Sequence, residues 1–159
     1  FLILTYRNKI PLIKNTITSI VIVILFFSSS LKLFQQNSSL QYDQDWINFF
    51  EVDINKIIEK DQIVFLDITA DWCATCQFNK INVLNSDNVI KIFKNNNIKL
   101  IRADWTKPNE KINIFLEKYD RFGIPFNAFF SNNFTNGILL SELLSEKEIL
   151  NAIKKINNE

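Results

Sequence analysis

The stretch Ile63 to Cys76, I-V-F-L-D-I-T-A-D-W-C-A-T-C, constrains the fold more than any other part of the chain. Ile63 to Ile68 is a short apolar run interrupted by one acid, Asp67, and reads as a strand buried on both faces of a sheet. Trp72 and two cysteines follow at once. Cys73 and Cys76 are three residues apart, so on a helix they share a face, with Cys73 at the amino end. The first helical turn has unpaired N–H groups and a partial positive charge, and both favour a thiolate over a thiol. A buried strand that delivers C-x-x-C to a helix N-terminus suits thiol–disulfide exchange.

The remaining composition narrows the chemistry. A net charge of +1 with no basic run argues against a nucleic-acid surface. The sequence has no histidine, so neither His catalysis nor His metal ligation can come from it. Cys73 and Cys76 are its only cysteines, too few for a structural disulfide framework or, unaided, for a zinc site, which takes about four ligands. No metal and no cofactor are expected. Methionine is absent even at position 1, which suggests the C-terminal part of a longer protein.

Residues 1–34 read as a membrane segment. Phe1 to Thr5 is apolar and ends at Tyr6-Arg7-Asn8-Lys9; Asn15 to Leu31 is uncharged between Lys14 and Lys32. That is roughly 17 residues, the lower limit for a helical span, extended if the flanking lysines snorkel. Arg7, Lys9 and Lys14 place the N-terminal side in the cytoplasm and the rest of the chain across the membrane. A signal peptide cleaved near Ser28 to Ser30 and a lone anchor are alternatives. The last helix of a multi-span domain is favoured because it also accounts for Phe1 to Thr5. Residues 35–45 are polar and read as a linker.

The folded domain is expected over residues 46–159. Trp46 to Phe50 reads as a first strand and Asp53 to Lys60 as a helix. After the strand Ile63 to Ile68, the cysteine helix should run from Cys73 to about Leu84. Ser86 or Asp87 caps another helix, Ile98 to Ala103 is a second buried strand, and Asn109 to Tyr119 is helical with Ile112, Phe115 and Leu116 inward. Phe126 to Phe130 and Ile138 to Leu140 form a hairpin across the turn-rich Asn132 to Gly137. Ser145-Glu146-Lys147-Glu148 is a capping box for a last helix to Ile156. This order gives a three-layer α/β domain.

Ala70-Asp71-Trp72-Cys73-Ala74-Thr75-Cys76, then Ala103-Asp104-Trp105-Thr106, then Arg121-Phe122-Gly123-Ile124-Pro125, resemble the segments that recur in thioredoxin-like proteins. More narrowly, they resemble the C-terminal domain of DsbD-type membrane thiol:disulfide interchange proteins. The resemblance covers about residues 46 to 156 and the membrane segment before them. It implies a thioredoxin-like sandwich with a central mixed sheet, preceded by a transmembrane helix. It also implies a protein-disulfide reductase in the bacterial inner membrane, with this domain facing the periplasm, and a place in electron transfer and cytochrome c biogenesis. Implied partners are disulfide-bearing extracytoplasmic proteins or domains and an upstream membrane electron-donor domain, with no nucleic acid. A dithiol oxidase or isomerase, or a non-enzymatic adaptor, uses the same fold.

Within that resemblance, Cys73 is the attacking thiol and Cys76 the resolving one. Asp67, a buried acid with no cation evident beside it, should have a raised pKa and would pass a proton to and from Cys76; the alternative is a carboxylate hydrogen-bonded at the sheet end. Pro125 would be cis and face the cysteines, with the Ile124 backbone pairing an extended substrate; the alternative is a trans proline opening the next strand. Trp72 would shield the cysteines and line the partner surface, while Trp105 is structural. Lys80 departs from close relatives, which often carry a glutamate near this position.

Overall fold

A computed structural model of the chain describes Ile20, Ile22 and residues 46–158. The expected membrane span Asn15 to Leu31 (those two isoleucines apart) and the linker 35–45 lie outside the described residues, as does Glu159. Among the described residues no helix is long and apolar enough to cross a membrane. Residues 46–158 belong to one compact unit.

That unit alternates strands and helices. In chain order they are β1 (Trp46–Asn48), α1 (Ile54–Ile58), β2 (Val64–Thr69), α2 (Ala74–Asn79), α3 (Asp87–Asn95), β3 (Lys99–Asp104), α4 (Glu110–Glu117), β4 (Phe126–Phe130), β5 (Ile138–Leu139) and α5 (Glu146–Asn157). The sheet order is β1-β3-β2-β4-β5. β1, β3 and β2 run parallel, whereas β4 and β5 are antiparallel, so the sheet is mixed. The first strand is shorter than expected: after Asn48 the chain turns into a 3-10 segment, Phe49–Glu51, because the Asn48 side chain accepts the Phe50 N–H.

β2 occupies the centre and every residue from Val64 to Thr69 is buried. Its alternation divides the core. Phe65 packs with Val83, Val89, Phe93, Phe129 and Ile149 on one face. Leu66 and Ile68 pack with Ile101, Ile112, Leu116 and Phe130 on the other. Each large apolar side chain so buried contributes about 1.5–3 kcal/mol. Helices therefore cover both faces, which completes three layers.

The helix starts follow local chemistry. Ser86, Asn109 and Ser145 each accept backbone N–H groups of the turns they open. Gly137 ends the β4–β5 connection at φ +79, and a Cβ there would come within 2.7 Å of the Phe130 ring. Glycine is required by both backbone and space.

Candidate active site

β2 ends at Thr69, and the three residues Ala70 to Trp72 carry the chain to Cys73. Cys73 is extended (φ −85, ψ 101) and caps α2, its sulfur accepting the Cys76 N–H at 3.2 Å. The cysteine is thus the cap itself rather than the first helical residue, and a thiolate there meets a free backbone donor. The helix runs α to Asn79 and then widens into a π segment, Lys80–Leu84.

Cys73 and Cys76 are joined as a disulfide with their Cα atoms 5.2 Å apart. Both are buried, Cys73 at 6% exposure and Cys76 at 2%. Ala70 and Ile124 pack against them. The Ile124–Pro125 peptide bond is cis. The topology thereby brings two loops far apart in sequence to the same sulfurs.

The 104–106 segment braces this loop. Trp105 N–H donates to the Thr69 carbonyl at 2.7 Å. Thr106 accepts the Asp71 N–H on its hydroxyl at 3.0 Å and the Trp72 indole N–H on its carbonyl at 3.2 Å. Thr106 also donates its own N–H to Asp104 at 2.8 Å, and its bonds to Asp104 hold that carboxyl below the usual range. Trp72 is 63% exposed, its ring 6.4 Å from that of Trp105. Its indole is anchored to the Thr106 carbonyl, and Ala70 and Ile124 are the buried and half-buried residues packed with the two cysteines.

Asp67 is paired, contrary to the expectation from the sequence. It is not an acid without a cation: Arg102 Nε donates to Oδ2 at 3.0 Å and Asn127 Nδ2 to Oδ1 at 3.0 Å. The three residues are cross-strand partners on β3, β2 and β4 and form one polar row. The expectation of an unpaired acid therefore fails: both carboxylate oxygens already have a partner. The guanidinium also lies 3.9 Å over the Trp46 ring.

Sequence reasoning missed Arg102 and Asn127 as partners of Asp67. The available signal was a polar residue inside each of three strands, Arg102 in β3, Asp67 in β2 and Asn127 in β4. It also missed Asn79, which is buried in α2 and bridges to the loop before α5. Asn79 Nδ2 donates to the Glu142 carbonyl at 2.8 Å, and its Oδ1 accepts the Leu144 N–H at 3.0 Å. Leu143 between those anchors is exposed, as is Phe122 beside the cis-proline loop.

A family described as thioredoxin-like matches residues 45–131. The thiol:disulfide interchange protein DsbD of Campylobacter jejuni strain RM1221 is 25% identical over 165 residues, covering 94% of this chain and 29% of that protein. The DsbD of Pectobacterium atrosepticum is 33% identical over 104 residues, covering 62% of this chain and 18% of that protein. The chain thus spans less than a third of these relatives' length. Among solved structures, the oxidised C-terminal domain of Neisseria meningitidis DsbD superposes with a TM-score of 0.53 at 19% identity, covering 64% of this chain and 88% of that one. Its reduced form gives 0.53 at 18% identity, covering 69% and 98%. At such identities the superpositions establish the fold.

Proposed function

The chain belongs to the thioredoxin-like family, and from that premise we propose that it is a membrane-tethered thiol:disulfide oxidoreductase reducing disulfides of extracytoplasmic proteins. The observation that carries the reading is the Cys73–Cys76 disulfide at the start of α2, packed against Ile124 beside cis Pro125.

In the reducing direction the Cys73 thiolate attacks a substrate disulfide, forming a mixed disulfide and releasing one substrate sulfur as a thiolate. Cys76 then loses its proton and attacks the Cys73 sulfur. The Cys73–Cys76 bond forms, the bond to substrate breaks, and the second substrate thiolate leaves and takes up a proton. The backbone beside cis Pro125 would pair with the extended substrate segment, and exposed Trp72 would contact it. Asp67 would act within its row with Arg102 and Asn127, six residues before Cys73.

Support for tethering comes from the sequence. The match to the Campylobacter protein covers 94% of this chain, so it cannot stop at the start of the folded domain. The uncharged stretch Asn15 to Leu31 lies in that earlier part. Electrons would arrive from a membrane donor domain upstream, and the folded domain would face the periplasm of a bacterial inner membrane.

The test is glutathione-coupled reduction of a model disulfide by the full chain in detergent micelles. Activity that disappears in Cys73→Ser supports the reading; a wild-type chain with no exchange activity overturns it. A compartment-specific reporter fused after Glu159 checks the topology, and cytoplasmic reporter activity would reverse it.

A further inference from the structure

The polar row of Arg102, Asp67 and Asn127 lies on the sheet face that Val83 and Leu84 help to cover. Lys80 begins the π segment just before them. It follows Cys76 by one helical turn, and its backbone N–H donates to the Cys76 carbonyl. Side chains on a helix lean toward its N-terminus and cover the preceding turn, so Lys80 reaches back over the turn of Cys76. The charges acting on its ammonium agree with that direction: Asp67 on β2, Arg102 and Asp104 on β3, and Asp71 in the loop before Cys73. Asp71 and Asp104 flank the junction closed by Thr106, beside the loop that leads into Cys73. Lys80 is half-buried; burial first and Arg102 second lower its pKa, against the three carboxylates.

We propose that Lys80 sets the redox poise of the Cys73–Cys76 couple, its ammonium offsetting the carboxylates of Asp67, Asp71 and Asp104 where a thiolate forms. The inference rests on the thiol–disulfide exchange reading above. When a partner dithiol reduces the pair, it supplies two electrons. The Cys73–Cys76 bond breaks and a disulfide forms on the partner. Of the two protons the partner gives up, the cysteines take only as many as they need for the sulfurs that are not thiolates. A nearby cation lowers the energy of the thiolate-bearing reduced form and leaves the neutral disulfide unchanged. Lys80 therefore makes the couple more oxidising than its three carboxylates would allow. It acts through the sulfurs and is a positioning residue.

The experiment equilibrates the full chain in detergent micelles with glutathione buffers from about pH 6 to pH 10, bracketing ordinary thiol titration. Lys80→Gln, Lys80→Glu and Lys80→Arg are compared with wild type by alkylation mass shift and by ultraviolet thiolate absorbance. Lys80→Gln should favour the disulfide about tenfold, a shift of about 30 mV toward more reducing potential, and Lys80→Glu should go further. Lys80→Arg should stay near wild type. The Gln effect should vanish below the thiol pKa, where both sulfurs are protonated, and again above the pKa of Lys80 itself. A Gln variant with the wild-type potential at every pH overturns the proposal. So does an Arg variant shifted as far as Gln, which would make Lys80 a packing residue. A wild-type pair that never exchanges with glutathione would overturn the function reading as well, and only that outcome touches both.

Discussion

The hydroxyl of Thr106 accepts the backbone N–H of Asp71 at 3.0 Å, across 35 residues of sequence. This bond joins the loop before Cys73 to the end of β3, and the Thr106 carbonyl adds a second tie to Trp72. The cysteine loop is therefore held from outside as well as by its own helix.

Thr106→Val removes the hydroxyl acceptor and keeps the carbonyl. The expected loss is about 0.5–1.5 kcal/mol for the bond to Asp71, with a further loss from the hydroxyl's hydrogen bond to the Asp104 carboxylate. Exchange with a model disulfide should slow more than global stability falls, because the bond acts on the reactive loop. Urea titration alongside the exchange rate checks this; a rate unchanged from wild type would make Thr106 a purely structural residue.

The row of Arg102, Asp67 and Asn127 predicts an ordering of costs. Arg102→Leu leaves a nearly buried carboxylate without its cation, hydrogen-bonded to Asn127, and should cost about 3–5 kcal/mol. Asp67→Asn should cost less, because Arg102 is more exposed than Asp67 and keeps its place over the Trp46 ring. Urea midpoints of the two variants give the comparison, and the reverse order would mean that Asp67 is the dominant member of the row.

Much of this architecture was legible because burial on both faces leaves a strong mark on sequence. Ile63 to Ile68 read as a strand buried on both faces, one residue off the observed β2, and Ser86 and Ser145 stood among the expected caps. The cysteine pair was legible from its spacing together with the strand and A-D-W before it and the G-I-P after it. What could not be read was lateral. Asp67 looked unpaired because Arg102 lies 35 residues away and Asn127 60, and only the register of β3 and β4 against β2 makes them neighbours. Asn79 likewise read as an ordinary polar helix residue, since its partners at Glu142 and Leu144 belong to a loop whose path is set by tertiary packing. The early end of β1 at Asn48 came from a side chain competing for the backbone, which apolar patterning does not register.

Acid should loosen the contact between α3 and α5. Glu146 accepts hydrogen bonds from Ser86 Oγ at 2.7 Å and Asn88 Nδ2 at 3.2 Å, and these lower its pKa, Ser86 most. A depressed folded-state pKa means the carboxylate's contribution is complete above the unfolded pKa, about 4.3 for glutamate. It is lost as pH falls through the lower folded value. The stability difference between wild type and Glu146→Gln should therefore be constant near neutrality and shrink below about pH 4. Thermal melts across that range test the sign. A difference that grew in acid would contradict the assignment.

The two sulfurs should behave unequally. Cys73 Sγ already accepts the Cys76 backbone N–H at 3.2 Å, and that donor belongs to the peptide rather than to the Cys76 side chain. In Cys76→Ser the donor remains, so a Cys73 thiolate should still be stabilised at the head of α2 and still attack a substrate disulfide. The resolving sulfur is gone, and the mixed disulfide should persist. In Cys73→Ser the remaining thiol sits within the helix, is the more buried of the pair, and has no cap position to favour its thiolate. It should trap little. Mass spectrometry of acid-quenched membranes from cells carrying each variant identifies the covalent species. An accumulation in Cys73→Ser instead would exchange the attacking and resolving roles while leaving the dithiol chemistry in place.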